Sequence, residues 1–346
     1  MSLNKLLVNL IKIILLILAG ISVSHCSRTG KNDLLVFSGN TMGTTYNIQI
    51  VAQENVSPEI LSKKIKLILN DVEQSMSTWR SDSELSRLNN TTSSEWLTVS
   101  KDLLYVLKLA QSVSKKTNGA FDITLDPLIN LWGFSSHKIQ TSIPDEKNIL
   151  MALQKVGYRN LYIDPERHAI KKGIPIRINL SAIAKGYAVD KIAEYFNNQS
   201  INSYLIEVGG ELRLKGHKKD GQLWSIAIET PSTGERKPFK GLMLTDHAIA
   251  TSGDYRNYYE IKGKRYSHTI DPVTGYPVTH GLASVTVISK TAAYADAVAT
   301  ALMVMGSDKG YHFCEKNKIP AYFVFHKNNK FNTKYTSYMK KYLATH

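Results

Sequence analysis

N-L-S-A-I-A-K-G-Y-A-V-D-K-I-A-E-Y-F-N-N-Q-S-I-N-S-Y-L-I-E-V, residues 179–208, reads as one helix followed by one strand. The helix begins near Ser181 and ends at Asn197-Asn198, and the strand covers 203–208 (SYLIEV). Gly209-Gly210 then closes the strand or turns it. Further strands are predicted at 223–228 (LWSIAI), 284–288 (SVTVI) and 320–325 (PAYFVF), with another helix over 291–305. Strands and helices are mixed without the strict alternation of a doubly wound sheet, which predicts an α+β fold. No G-x-G-x-x-G follows a strand, so a Rossmann dinucleotide site is not supported.

The segments before residue 179 fit the same class. Tyr46, Ile48 and Ile50 alternate with polar neighbours, as in a strand. Ser57-Pro58 opens a helix as N-cap and first-turn proline, and Ile65, Ile68, Val72 and Met76 follow at helical spacing. Ser100 starts another helix, with Leu103, Leu104, Leu107 and Ala110 inside and Asn118-Gly119 as its stop. A third runs from about Pro144 to Val156 and ends at Gly157. There is no internal repeat and no low-complexity segment.

The chain has 346 residues, 43% of them hydrophobic, which suits one or two globular domains. Residues 1–25 stand apart. Lys5 and Lys12 precede an uncharged apolar run at 13–23 (IILLILAGISV), then small residues and Cys26. This order is that of a secretory signal, and the run is short for a spanning helix. Cys26 sits where a bacterial lipoprotein is lipidated and becomes the mature N-terminus. Cleavage after Ser24, using Ser22-Val23-Ser24, is the competing reading. Residues 26–33 are then a polar tether, and the body of the chain starts at Leu34. Cys314, the other cysteine, has no partner if Cys26 is lipidated and reads as a buried small hydrophobe. Two such cysteines make neither a disulfide framework nor a zinc motif. The net charge of +14 is spread over scattered lysines without a nucleic-acid-binding signature, so no nucleic-acid partner is expected.

Several segments carry more glycine and polar residues at fixed places than packing requires. Met42-Gly43-Thr44-Thr45-Tyr46 enters the first strand, and Met76-Ser77-Thr78-Trp79 ends the first helix. Gly119-Ala120-Phe121-Asp122 follows the second helix. The next such segment is Asn179 to Asp190, and beyond it come Glu207-Val208-Gly209-Gly210-Glu211, then Thr251-Ser252-Gly253-Asp254, then Ser267-His268-Thr269-Ile270-Asp271-Pro272-Val273-Thr274-Gly275, then Ala295-Asp296-Ala297-Val298-Ala299-Thr300-Ala301. Asp296 and Thr300 lie four apart, so their oxygens share one helix face. A carboxylate plus a hydroxyl, among alanines that leave space, is a hard-oxygen pair suited to Mg²⁺. Ser181 to Gly186 place free backbone N–H groups at a helix start, with Lys185 as a point charge, which suits a phosphate. Taken singly, each has a bland reading: a turn, a capped helix, a polar helix edge or a structural histidine.

In this order the segments resemble the ApbE family of FAD:protein FMN transferases over residues 34–346. The most specific are I-A-K-G-Y-A-V-D, S-H-x-I-D-P-x-T-G and A-D-A-x-A-T-A-L. The resemblance implies Mg²⁺-dependent transfer of FMN from FAD to a threonine hydroxyl of an acceptor protein, with AMP released. The fold expected for this function is one α+β catalytic domain, with two lobes around FAD. The resemblance places Asp296, Thr300 and the Ala182 carbonyl on the metal, and His268 as general base. Met42, Trp79, Ala120, Phe121, Asp122, Asn179, Lys185 and Ile270 fall at flavin-dinucleotide contacts. Trp79 stands where the family usually has Tyr, and Asn179 where many members have Asp. The expected partners are flavoprotein subunits of membrane redox complexes, and the expected place is the outer face of the cytoplasmic membrane, held by the lipid on Cys26. Two other functions fit the same residues less fully: an FAD pyrophosphatase that uses water, and an FAD-binding lipoprotein without catalysis.

Overall fold

The computed structural model describes residues 34–52, 56–135, 142–231, 237–255, 258–261, 263–328 and 330–344. The signal segment 1–25, Cys26 and the tether 26–33 lie outside them. The chain runs β1 (Leu34–Thr41), β2 (Thr44–Val51), α1 (Pro58–Met76), α2 (Glu84–Asn90), β3 (Leu97–Thr98), α3 (Lys101–Lys116), α4 (Asp126–Leu131) and α5 (Glu146–Leu153). It continues through β4 (Leu161–Asp164), β5 (Ala169–Lys172), α6 (Ala184–Asn198), β6 (Tyr204–Val208), β7 (Glu211–Lys215), β8 (Trp224–Glu229) and β9 (Pro238–Leu244). Last come β10 (Ala248–Gly253), β11 (Tyr258–Ile261), β12 (Lys264–Ser267), β13 (Leu282–Ser289), α7 (Ala292–Lys316), β14 (Ala321–Lys327) and β15 (Lys330–Tyr335).

Eight strands form one antiparallel sheet in the order β1-β2-β6-β7-β10-β13-β14-β15. Alternation along each strand sorts its side chains to two faces. On β10, Ala248 and Ala250 join the large core with Val285, Val287 and Phe323. Ile249 turns the other way and joins Leu214, Trp224, Leu242, Ile288 and Val324. Helices α6 and α7 lie on the first face, the β8–β9 hairpin on the second. A third, smaller cluster holds Leu128, Trp132, Ile149, Tyr266 and Ile270. The α+β expectation is met, in a single domain.

Local chemistry explains the element ends. Ser57 and Ser100 cap α1 and α3 by accepting from Ile60 N and Leu103 N, as their positions in the sequence predict. Asn118 and Gly119 both take positive φ (51° and 86°) where α3 stops. The helix expected over 144–156 is shorter, since Pro144 precedes its N-cap Asp145. The helix expected from Ser181 starts at Ala184, because Leu180 O accepts from Ile183 N and Ala184 N in a turn first. The helix expected over 291–305 is the first part of α7, which kinks at Gly306 (φ 77°, ψ 177°) and then continues.

Gly186 sets the spacing of the two central helices. A Cβ there would lie 2.5 Å from Ala292 O and 2.7 Å from Ala293 Cα, both backbone atoms. Asp190, one turn on, accepts from Ala292 N and Ala293 N (2.9 Å each) and pairs with Arg213 at 2.6 Å. Gly186→Ala is expected to force α6 from α7 and cost about 1–3 kcal/mol or more of stability. A lower urea midpoint at unchanged slope would register it; an unchanged midpoint would show that the helices part freely.

Candidate active site

A cavity of about 480 Å³ opens between the large core, which supplies Phe121, Ile123 and Met303, and the small one, which supplies Ile270. Ala120, Phe121, Asp122, Asn179, Ala182, Lys185, His268, Ile270, Asp296 and Thr300 all line it. Residues as far apart in sequence as 120 and 300 thus converge. Met42 and Trp79 do not reach this cavity. They line an adjoining one of about 520 Å³ that shares Ser181 and Lys185 with the first. Trp79 is 67% exposed, so it is no core residue. Met42 sits at positive φ (48°) with Gly43 (71°) in the two-residue β1–β2 turn, and Glu73 holds that turn by accepting from Met42 N and Thr41 Oγ1.

The walls are fixed by local hydrogen bonds. Thr117 Oγ1 accepts from Phe121 N, which positions Ala120 and Phe121 after the α3 stop. The Asp122 carboxylate accepts from Thr124 N, Thr124 Oγ1 and Tyr158 N. Burial raises its pKa, with the Thr124 bonds opposing. Asp122 therefore shapes the wall with its carboxylate already committed. The Asn179 amide oxygen accepts from Ser181 N and Ser181 Oγ, and its nitrogen donates to Asp126 Oδ1 at 3.2 Å. An aspartate at 179 would set two carboxylates together; the amide supplies a donor instead. Ser181 N–H is thereby spent, so the free donors expected at this helix start are fewer than the sequence suggests.

The charged centre is Lys185, Glu211 and Asp296. Lys185 Nζ donates to Glu211 Oε1 at 2.6 Å. Glu211 and Asp296 are 2% and 3% exposed. Burial pushes the Glu211 carboxyl up to about 8, against the pull of Lys185, and Asp296 adds to the rise. Burial likewise raises Asp296, with Lys185 and the Gly186 N–H opposing. For Lys185, burial alone would lower the pKa; Glu211, Asp296 and Glu207 outweigh it and the net shift is upward. The ammonium thus stays charged, while two buried carboxylates share one cation, and it is the carboxylates that carry the unrelieved cost. Glu211 Oε2 has no hydrogen-bond partner among the described residues.

Glu211 has no role in the sequence reading, although Gly209-Gly210-Glu211 stands out there. A lone acidic residue at a strand start is an ordinary sight, and its contact with Lys185 forms only across the fold. Ser252 lies in Thr251-Ser252-Gly253-Asp254, which also stands out in the sequence without a role attached to it. Its Oγ lies 3.4 Å from Thr300 Oγ1, near the limit of a hydrogen bond.

A raised carboxyl also fixes a pH dependence. A group whose folded pKa lies above its unfolded value contributes fully at low pH and loses that contribution as pH rises through the folded value. Glu211 should therefore lower the stability of the metal-free protein as pH rises from about 4.5 toward 8. Glu211→Gln keeps an acceptor for Lys185 and is expected to flatten that decline in denaturation curves taken across the range. An unchanged decline would assign the pH dependence to other groups.

The donors suit a hard divalent cation. Asp296 Oδ2 accepts from Gly186 N at 3.3 Å, so its other oxygen is open to a further ligand. Gly186 N–H is the group that a helix continued backward would give to the Ala182 carbonyl, and no such backbone bond is present among the described residues. Ala182, Asp296 and Thr300 line one cavity, and between them carry a backbone carbonyl, a carboxylate and a hydroxyl as oxygen donors. Burial pushes both the Asp296 and Glu211 carboxyls toward the protonated form, and a bound cation would relieve that cost and favour their charged forms. No group of three or more His, Cys, Asp or Glu suited to a metal occurs among the described residues, so a site here depends on carbonyl, hydroxyl and substrate oxygens.

The family model described as the ApbE family matches residues 42–323. The chain belongs to the ApbE family. It is 42% identical over 332 residues to the FAD:protein FMN transferase of Vibrio cholerae, covering 95% of this chain and 97% of that protein. It is 39% identical over 343 residues to the Haemophilus influenzae protein of the same name, covering 97% and 99%. The flavin transferase ApbE structure from Vibrio cholerae superposes with a TM-score of 0.83 at 41% identity, covering 90% of this chain and all of that one. The apo flavinyl transferase ApbE of Pseudomonas stutzeri gives 0.84 at 36% identity, covering 91% and 98%. Among the described residues of this ApbE-family chain, no helix is long and apolar enough to cross a membrane.

Proposed function

We propose that this chain transfers FMN from FAD to a threonine hydroxyl of acceptor flavoproteins and releases AMP. The observation that carries this is the convergence of His268, Lys185, Asp296 and Thr300 on one cavity in an ApbE-family chain. FAD is two nucleotide halves joined by a pyrophosphate. Two cavities of mononucleotide scale meet at Ser181 and Lys185, which suits such a ligand with its pyrophosphate at the junction. Lys185 supplies a point charge there, held in place by Glu211. Trp79, exposed at the adjoining cavity, offers an aromatic face on which an isoalloxazine ring can stack.

The reaction forms one bond and breaks one. The acceptor oxygen bonds to the FMN phosphorus, the bond from that phosphorus to the bridging oxygen breaks, and AMP leaves with the bridging oxygen. The hydroxyl proton goes to the His268 imidazole, since an unassisted hydroxyl is a weak nucleophile. Lys185 meets the charge on the departing phosphate. Ala182 C=O, Asp296 and Thr300 would hold Mg²⁺, which when bound neutralises charge on the pyrophosphate. Residues 13–23 followed by Cys26 support a lipid-anchored enzyme on the outer face of the cytoplasmic membrane, acting on subunits of membrane redox complexes.

The test is to incubate the full chain with FAD, Mg²⁺ and the apo form of a flavoprotein that carries covalent FMN, then take the acceptor's intact mass. Added FMN with AMP in solution establishes the transferase. Free FMN and AMP over an unmodified acceptor would replace it with a pyrophosphatase, and intact FAD with a binding protein.

A further inference from the structure

A third cavity, of about 300 Å³, lies on the sheet face opposite α6 and α7. The β8–β9 hairpin walls it with Ile226, Ala227 and Leu242, and Ile249 and Thr251 form its floor. It adjoins the reaction cavity, because Gly209, Thr251 and Gly253 line both. The two meet where the sheet opens. β7 and β10 pair only at Leu212↔Ile249 and Arg213↔Ala248. From Ala250 to Gly253, β10 has β13 as its one paired neighbour among the described residues. Facing this open edge is the Gly209-Gly210 turn, with φ of 60° and 101° and no side chains to fill the gap.

The groove is polar where it nears the gap. Thr251 Oγ1 and Thr286 Oγ1 lie 2.8 Å apart across β10 and β13. Ser284, cross-strand partner of Gly253 on the same face, has a buried hydroxyl with no hydrogen-bond partner among the described residues. Thr286 and Ser284 line neither of the two cavities proposed for FAD. A protein substrate, however, must bring its hydroxyl to the reaction cavity with polypeptide on either side. An unpaired strand edge offers backbone N–H and C=O groups to such a segment.

We propose that this groove seats the acceptor polypeptide, extended along the open edge of β10, with its hydroxyl-bearing side chain passing between β7 and β10 to the cavity that holds His268. The proposal rests on the transferase reading and adds where the protein substrate docks. FAD and acceptor thereby reach the reaction from opposite faces of one sheet, and FAD can remain bound while acceptors exchange.

Ala227 tests it, being exposed on the hairpin, lining the groove and lying outside the reaction cavity. Ala227→Trp fills the groove. With an apo flavoprotein as acceptor, kcat/KM is expected to fall roughly tenfold or more. FAD affinity and acceptor-free release of FMN and AMP should stay at the wild-type level. A second variant avoids any folding effect of the bulky residue: Ala227→Cys, folded first and then blocked with a maleimide beside identically treated wild type, should lose transfer only after blocking. Transfer at the wild-type rate in Ala227→Trp and in blocked Ala227→Cys would overturn the groove proposal and leave the transferase standing. A wild-type chain that cleaves FAD yet modifies no acceptor would overturn the transferase reading, and the groove proposal with it.

Discussion

Replacing His268 by alanine is expected to lower acceptor flavinylation by about 10²–10⁴-fold, the range of a positioned general base, while FAD stays bound. The separation of effects follows from placement. His268 directly follows β12, lines the main cavity and meets Phe134 edge-on with ring centroids 6.4 Å apart. The dinucleotide contacts proposed at Lys185, Trp79 and the 120–122 wall are untouched by its removal. The loss should therefore fall on turnover, with the FAD dissociation constant changed little. Equilibrium binding of FAD, followed by flavin fluorescence, and single-turnover transfer together check this. Transfer at the wild-type rate would remove His268 from the base role; parallel loss of FAD affinity would make it a binding residue.

Asp296→Ala is the second large effect. Transfer is expected to fall by roughly 10²-fold or more, because a Lewis acid contributes several kcal/mol to a charged transition state. The residual rate should no longer rise with added Mg²⁺. A companion variant separates chemistry from folding. Asp296→Asn keeps an acceptor for the Gly186 N–H while removing a carboxylate whose charged form burial disfavours. In metal-free protein, Asp296→Asn should be at least as stable as wild type at neutral pH, yet just as inactive. A wild-type Mg²⁺ response in either variant would end the ligand assignment. A sharp fall in metal-free stability for Asp296→Asn would instead make the carboxylate a structural group.

Both experiments concern residues that the sequence alone makes legible. Asp296 and Thr300 stand at helical spacing amid alanines, and His268 sits in a glycine- and proline-bounded segment, so their local setting carries a signal. The helices with Ser57 and Ser100 at their starts are legible for the same reason: a cap acts within three residues. What stays hidden depends on distance along the chain. The strand order places β10 between β7 and β13, and nothing in the 248–253 stretch announces those neighbours. Glu211 becomes a partner of Lys185 only once the sheet and α6 are assembled. The division of the expected dinucleotide contacts between two cavities, with Met42 and Trp79 in one and Ala120, Asn179 and Ile270 in the other, is likewise tertiary. The start of α6 departs from its expected place for a local reason, the competing turn at Leu180.

The backbone contact at Gly186 has a further consequence for how this molecule can diversify. It clamps Lys185 and Asp296 into one rigid unit, although 110 positions separate Gly186 from Asp296. The intervening chain includes the β8–β9 hairpin, whose Trp224, Ile228, Leu242 and Leu244 pack onto the sheet while Ser225 and Ala227 are exposed. Exposed positions and connections vary at small thermodynamic cost. The outward side of the hairpin can therefore change to suit a new protein client, with its inward residues kept, without disturbing the spacing between the lysine and the carboxylate. Grafting β8 and β9 from one family member onto another should then move client preference while leaving the FAD-cleaving geometry as it was.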